Sequence, residues 1–412
     1  MREMKLTQSQ FVSQIPSSWS MKRLKYFCEI DTGNQDTQDS IQDGTYPLYV
    51  RSPIIERSNR YTFDGEGILM AGDGAGAGRI FHHVNGKYGV HQRVYRLGNF
   101  NDINTDFLFY YISSIFPNIM DQGSAQSTVP SVRLPMLKDL QIALPPIVEQ
   151  QQIVDFLDKN CSKIDEALSR HQTIIEKLGE YRKALITKAV TKGLDSNVEM
   201  KDSGIAWIGA IPTNWSVKPL WALYSEHKKK NTNGVEQNLL SLSYGNIIRK
   251  DINAKEGLLP ENFNGYNIVE KDDIVLRLTD LQNDKRSLRT GLVKERGIIT
   301  SAYVTLRPIQ KISSEYYHYL LHAFDIIKGF YSMGEGVRQN LNYIELSKML
   351  LPVPSINEQI EIAEYLKERC SEINESMARQ KAVVEKLEAY KKSLIYYAVT
   401  GKIDCREVNA NE

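Results

Sequence analysis

The sequence is poor in the features that usually announce a chemistry. Only four cysteines occur in 412 residues, Cys28, Cys161, Cys370 and Cys405. No two of them form a C-x-x-C pair, which argues against zinc ribbons, redox motifs and a disulfide framework and leaves plain buried thiols. No stretch approaches the roughly 18 uninterrupted apolar residues of a membrane span, and residues 1–10 are polar, without the apolar core of a signal peptide, so a cytoplasmic protein is expected. There is no Gly-x-Ser-x-Gly elbow, no Walker loop and no Asn/Asp-Pro-Pro-aromatic element of base methylation, so no catalytic centre is visible. An excess of one charge is lacking too. With 51 basic and 50 acidic residues the net charge is +1, unusual for a protein that holds DNA alone, because nonspecific affinity comes from neutralising phosphates. Either DNA is not a ligand or a partner supplies much of the charge. The balance is uneven: residues 211–352 hold about four more basic than acidic residues, whereas residues 15–145 are close to balanced.

What the chain does have is repetition. Residues 149–195 and 358–404 align without a gap at an offset of 209, with 20 of 47 positions identical. An earlier match, Ile15-Pro16-Ser17-Ser18-Trp19-Ser20 against Ile211-Pro212-Thr213-Asn214-Trp215-Ser216, has an offset of 196, so the second copy carries 13 more residues between the Trp and the repeat. The order is variable, constant, variable, constant, and the 42% hydrophobic content suffices for two cores of ordinary size.

Each constant segment follows prolines, Leu144-Pro145-Pro146 or Leu351-Pro352-Val353-Pro354, which fix a helix start just beyond them. From there the apolar spacing alternates four and three: Leu157, Cys161, Ile164, Leu168, His171, Ile175, Leu178, Arg182, Leu185, Ala189. The second copy repeats it as Leu366, Cys370, Ile373, Met377, Gln380, Val384, Leu387, Lys391, Leu394, Ala398. Four heptads of this pattern predict a coiled-coil seam. Parallel pairing in register would set Arg182 against Lys391 inside the interface, whereas antiparallel pairing brings each cation towards Glu372, or towards Asp165 and Glu166. A helix over residues 149–189 reaches about 60 Å, long enough for a spacer with a variable domain at each end. The periodicity suits a scaffold that merely dimerises equally well.

The variable segments show β-forming runs at 45–51, 67–71, 79–84 and 90–97, and in the second copy at 273–278 and 298–307. An aromatic helix at 315–328 matches 106–115, so each segment reads as a β-rich α+β domain. Gly72-Asp73-Gly74-Ala75-Gly76-Ala77-Gly78 partly matches a dinucleotide fingerprint. However, β-forming Arg79-Ile80-Phe81-His82-His83-Val84 follows it where a helix is required, so a tight loop that can approach another surface is expected instead. His82, His83 and His91 have no carboxylate or cysteine at helical spacing to complete a metal set, so no metal site is expected. Side chains suited to DNA stand in turn-like places: Arg79, His91, Gln92 and Arg93 in the first domain; Lys228, Lys229, Lys230, Asn246, Arg249, Arg277, Asn283, Lys285, Arg286 and Arg289 in the second. Arg pairs with guanine and Asn or Gln with adenine through two hydrogen bonds in the major groove, while lysine suits phosphate. Taken singly, each of these residues reads better as a solvated surface group than as a base reader; as clusters on both repeats they gain weight.

Over nearly its whole length the chain resembles the specificity subunits of type I restriction-modification systems. The resemblance is carried by the domain opening Met200-Lys201-Asp202-Ser203-Gly204-Ile205-Ala206-Trp207-Ile208-Gly209-Ala210-Ile211-Pro212-Thr213-Asn214-Trp215. The junctions Leu144-Pro145-Pro146 to Glu149-Gln150-Gln151-Gln152-Ile153 and Val353-Pro354 to Asn357-Glu358-Gln359 add to it. So does the ending Ala398-Val399-Thr400-Gly401-Lys402-Ile403-Asp404, whose first-copy counterpart departs as Ala189-Val190-Thr191-Lys192-Gly193-Leu194-Asp195. The resemblance implies an α+β fold with a pseudo-twofold internal repeat, in which two β-rich target-recognition domains are separated by a long antiparallel two-helix coiled coil. The expected boundaries are 1–146 and 197–354 for the recognition domains, 147–196 and 355–405 for the helical spacers and 406–412 for a tail. It implies a noncatalytic subunit reading a split sequence in double-stranded DNA, on which two methyltransferase subunits and motor-nuclease restriction subunits assemble. S-adenosylmethionine, ATP and Mg are then expected only in those partners, with methyl transfer usually to adenine. The competing reading is a coiled-coil protein-interaction scaffold without DNA specificity.

Overall fold

The computed structural model describes residues 2–123, 130–253, 260, 262–281, 288–333 and 340–406. The chain divides into two compact units: residues 1–172 with 381–412, and residues 173–380. Each unit takes one β-rich domain, half of a helix Ile147–Lys192 and half of a helix Ile356–Val399.

In the first unit an antiparallel sheet runs in the order Glu29–Thr32, Val94–Gly98, Gly67–Ala71, Phe81–Val84, with Leu97 opposite both Ile30 and Ile68. A second sheet, Glu56–Ser58, Tyr46–Tyr49, Lys87–Val90, Phe63–Asp64, contains the parallel pair Leu48 and Gly89. The continuous run expected at 90–97 breaks at His91-Gln92-Arg93, where the backbone turns from one sheet into the other. Gly67–Ala71 is buried on both faces, which explains its unbroken apolar sequence Gly-Ile-Leu-Met-Ala. The helix Thr105–Gly123 lays Phe107, Leu108, Tyr111, Ile112, Ile115 and Phe116 into a core shared with Trp19. The pair Ser20–Arg23 and Gln141–Leu144 then delivers the chain to the first long helix.

The second unit repeats this plan. Its sheet runs Tyr224–Glu226, Val304–Pro308, Ile274–Leu276, Thr290–Leu292, and its helix is Ser314–Ile326, with Ser313 as the N-cap accepting the Tyr316 N–H. Here the run expected at 298–307 splits into Gly297–Ile299 and Val304–Pro308. A two-residue hairpin joins Leu240–Ser243 to Asn246–Arg249 through Tyr244 and Gly245, both at positive φ (45° and 81°), as a primed turn requires.

The domain and its helix are joined by the same buried amide in both units. Gln150 accepts the Asn104 N–H (2.8 Å) and donates to the Pro145 carbonyl (3.0 Å); Gln359 accepts the Ser313 N–H (2.9 Å) and donates to the Pro354 carbonyl (2.9 Å). All twenty seam positions named from the sequence are buried or half-buried. Within the first unit Leu157, Cys161 and Ile164 share a core with Leu394, Ala398 and Val399, and Lys391 donates to both Asp165 oxygens (2.6 and 2.7 Å). Within the second, Leu366 and Cys370 share a core with Ile186, Ala189 and Val190, and Arg182 donates to Asn374 (2.6 Å). In each unit the early half of one helix therefore lies against the late half of the other, the antiparallel sense. Asp165 and Asn374 are repeat equivalents, as are Arg182 and Lys391, so this is one contact made twice, with Asn374 rather than Glu372 answering Arg182. All four cysteines are buried free thiols, and burial alone pushes Cys28 up to about 12.

Candidate nucleic-acid interface

In the first unit the polar cluster forms around the glycine loop. Residues 72–78 leave the buried strand Gly67–Ala71, and the segment 130–132 pins them: the Gly74 N–H donates to the Pro130 carbonyl (3.1 Å) and the Val132 N–H to the Gly72 carbonyl (2.8 Å). At Gly78, φ is +63° and an added Cβ would run into Phe116 and Met120, so the close approach that glycine permits is made against the domain's own helix. This loop holds Asp73, whose carboxylate accepts from Arg51 (2.9 Å) on one oxygen and from Arg93 (2.6 Å) on the other. Partial burial works against ionisation of Asp73, but the two guanidinium hydrogen bonds win and hold its carboxyl below the usual range. Both cations stay largely in solvent, Arg93 at 62% exposure of its side chain, so one partly buried carboxylate orients two outward-facing guanidinium groups. Beside them Gln92 is exposed and donates to Asp36 (2.7 Å), and Arg79 pairs with Asp121.

His91 differs from its neighbours. It is 2% exposed, and its Nδ1 accepts the Arg93 N–H (3.0 Å), so it shapes the turn that presents Gln92 and Arg93 and cannot itself reach a base edge. Burial, aided by Arg51, pushes its imidazole down to the neutral side. Arg51 escaped the sequence reading, although its place between a strand and the Ser52-Pro53 turn was a usable signal.

In the second unit the exposed polar groups are distributed differently. Asn246 stands at the hairpin tip next to Tyr244, which is 77% exposed. Arg249 makes a two-pronged pair with Glu295. Lys228, Lys229 and Lys230 are all exposed; Lys228 pairs with Glu226 (2.9 Å) and Lys230 donates to the Gly265 carbonyl (2.9 Å). Arg277 is half-buried, and its carbonyl accepts from Arg289 (3.2 Å). Arg289 corrects the sequence expectation. It is fully buried, its guanidinium donating to the carbonyls of Arg277, Thr279 and Asp280 and lying over the Tyr331 ring. A cation so enclosed fixes the strand edge and does not read DNA; its turn-like flanks hid this because nothing local reveals Asp325 and Tyr331. Asn283, Lys285 and Arg286 lie outside the described residues.

Two copies of one α+β domain, each seated on long helices and each offering its own exposed polar side chains, define a duplicated recognition protein. The description "Type I restriction modification DNA specificity domain" matches residues 16–177 and 228–386, and the chain belongs to that family. It is 26% identical over 427 residues to the type I restriction enzyme MjaVIII specificity subunit of Methanocaldococcus jannaschii, spanning 96% of this chain and 95% of that protein. It is also 26% identical over 218 residues to the EcoDI specificity subunit of Escherichia coli, covering 49% of this chain and 48% of the relative. A chain solved in work on complex assembly and conformational transition of the type I R-M system shares the fold, with a TM-score of 0.67 at 13% identity over 94% of this chain and 99% of the other. Among the described residues, no helix is long and apolar enough to cross a membrane.

Proposed function

We propose that this chain is the noncatalytic DNA-recognition subunit of a type I restriction-modification complex, acting in the cytoplasm, with each β-rich domain reading one half of a split target. The observation that carries this reading is the duplicated scaffold with divergent exposed groups. Of the exposed groups, Arg51, Gln92, Arg93 and Arg79 belong to one head, and Asn246, Arg249 and the Lys228-Lys229-Lys230 run to the other; the half-buried Arg277 and the sequence positions Asn283, Lys285 and Arg286 are assigned to that second head as well. Arg93 and Arg51 suit guanine, Asn246 suits adenine and the lysines suit phosphate. The long helices serve as an antiparallel coiled-coil spacer that sets the gap between half-sites; the two repeat-equivalent cross-helix contacts support this role. The domain boundaries 1–146, 147–196, 197–354 and 355–405 serve as the working division.

Two methyltransferase subunits are the natural partners of such a repeat. The first unit exposes Ser162, Glu166, Arg170, Lys386 and Tyr390, and the second exposes the identical set Ser371, Glu375, Arg379, Lys177 and Tyr181. Tyr181 and Tyr390 are exposed to 58% and 57%. Large exposed aromatics repeated at equivalent places suit two copies of one protein partner. Methyl transfer, S-adenosylmethionine, ATP and Mg belong to the methyltransferase and motor-nuclease subunits. The test is exchange of residues 211–352 for the corresponding domain of another family member, followed by mapping of methylated bases in a host expressing the methyltransferase. One half of the methylated motif should change and the other persist. A change in both halves, or methylation without sequence preference, overturns the reading.

A further inference from the structure

The second unit contains a cavity of about 460 Å³ between the Tyr244-Gly245 hairpin, the helix Ser314–Ile326 and the two long helices. Its lining holds three cationic side chains, Arg182, Lys294 and Lys367, against one carboxylate among the described residues, Glu315. Asn246 and Asn374 add amides. His318 and His322, one helical turn apart, also face it. Three polar atoms in this lining are buried without a hydrogen-bond partner among the described residues: His318 Nε2, His322 Nδ1 and Arg182 Nε. A native site that leaves several buried polar atoms unmatched calls for a ligand or ordered water to match them. Burial pushes His318 down to about 3 and His322 to about 4, so both rings are neutral near pH 7.

The first unit shows what the same place looks like when it is self-satisfied. Where the second unit has Lys367, Asn374, His318 and His322, the first has Asp158, Asp165, Phe109 and Ser113. There Asp158 accepts from the Tyr110 hydroxyl (2.6 Å) and Asp165 from Lys391. The second copy has exchanged two carboxylates for a cation and an amide without adding an internal acceptor for the cation. No ion pair joins Lys294 or Lys367 to a carboxylate among the described residues.

The geometry points to this cavity as a binding site for a phosphate-class oxyanion, with Arg182, Lys294 and Lys367 as counter-charges and the two imidazoles as hydrogen-bonding partners. One nitrogen of His318 is engaged with the Thr290 carbonyl, which leaves Nε2 as an acceptor in the neutral ring. An acceptor there takes a proton directly from hydrogenphosphate or a protonated phosphate monoester, whereas a phosphodiester, like sulfate, has none to give and meets it through an ordered water. Two sources offer this chemistry, a free phosphate compound and the phosphodiester backbone of bound DNA. Only the second source rests on the DNA-recognition reading.

The probe is inorganic phosphate on the full chain, with sulfate and chloride at matched ionic strength. Thermal unfolding should rise by about 5–10 °C at phosphate a hundredfold above its Kd, and by less in sulfate. The double variant Lys367→Asp with Asn374→Asp installs the first unit's residues and gives Arg182 the carboxylate that Lys391 already has, so it should fold with an unchanged midpoint in chloride and lose the phosphate response. Lys294→Ala, at an exposed position, should weaken the response as well and guards against misfolding of the double variant. In the complex with methyltransferase, the slope of log K against log salt for duplex binding separates the sources. A fall of about 1 in the double variant assigns the site to a DNA phosphate, and an unchanged slope with a lost phosphate response assigns it to a free phosphate compound. No phosphate response in the unaltered chain together with an unchanged slope, or an equal response in all variants, overturns the proposal. Loss of sequence preference in DNA binding would overturn the functional reading and leave the phosphate result standing.

Discussion

The two units are built on one scaffold, and they agree at their buried joints and differ in the polar side chains they expose. Gln150 and Gln359 make the same two backbone hydrogen bonds, and the cross-helix contact at Asp165 recurs at Asn374. Away from these joints the first unit gathers Arg51, Asp73 and Arg93 on a glycine loop, while the second raises a hairpin tipped by Tyr244 and Asn246. Backbone geometry held by buried amides persists through a duplication because each lost partner leaves a desolvated polar group behind, whereas an exposed side chain changes at almost no cost in stability. Divergence between the units is therefore found on exposed side chains, where it costs little stability.

The largest effect should come from breaking the helices that both units share. Inserting four residues, about one turn, into each long helix adds on the order of 6 Å to each. The mapped methylation motif should show a longer gap between unchanged half-sites, or specific binding should be abolished. An unchanged gap would remove the spacer role while leaving the recognition heads intact.

Next in size are the clamps. Gln359→Ala strands the Ser313 N–H and the Pro354 carbonyl and should cost about 2–3 kcal/mol, lowering the midpoint of the second unit by about 5–10 °C. Gln150→Ala should do the same to the first unit through Asn104 and Pro145. Calorimetry that showed both variants softening the same transition equally would mean that the units do not melt as the two bodies described here.

Acid separates the units by a different mechanism. His318 and His322 have folded values near 3 and 4, well below the ordinary 6.5, chiefly because burial penalises the charged ring. Stability from keeping them neutral is fully present above about pH 6.5 and is lost as pH falls towards 4, since the unfolded chain takes up protons that the folded one refuses. Between pH 7 and 5 the pair should cost the second unit on the order of 2 kcal/mol once solvent at the partly open cavity is allowed for. The double variant His318→Phe, His322→Ser, which copies the first unit, should flatten the midpoint over that interval. An unaltered pH profile would show that the rings are hydrated and not buried neutral.

Much of the scaffold was legible in the sequence because it is written in period and punctuation. The prolines at 145–146 and 352–354 stand just before helices that begin at Ile147 and Ile356, and the four-three spacing picked out seam positions that are all buried or half-buried. The interface was less legible because reach depends on tertiary neighbours. Arg93 and Arg289 look alike in sequence, each in a short polar turn, yet Arg93 is turned outward by Asp73 and Arg289 is drawn inward by three carbonyls and Tyr331. His91 was misjudged for the same reason: its burial follows from the crossing of two sheets, and nothing local announces it. Arg51 was missed because its partner Asp73 lies 22 residues away on the glycine loop.

The smallest effect tests the finest difference between the two joints. Trp19 and Trp215 are both buried beside the start of a long helix, but only Trp215 has a hydrogen bond there, its Nε1–H donating to Glu358 at 2.8 Å. In the first unit the equivalent carboxylate, Glu149, is taken by Arg2, whose guanidinium also lies over the Trp19 ring, and the Trp19 Nε1–H has no partner among the described residues. Replacing either indole by phenylalanine removes similar apolar volume, so the two substitutions share that loss. Trp215→Phe additionally forfeits a hydrogen bond to a charged acceptor and strands part of Glu358, an extra cost of about 1.5 kcal/mol. Trp19→Phe removes an N–H that already lacks a partner, which offsets part of its packing loss. Urea denaturation should therefore rank Trp215→Phe below Trp19→Phe in stability by about that margin. The gap should close when Arg2 is changed to Ala, because Glu149 then becomes available to Trp19 and each phenylalanine forfeits the same hydrogen bond.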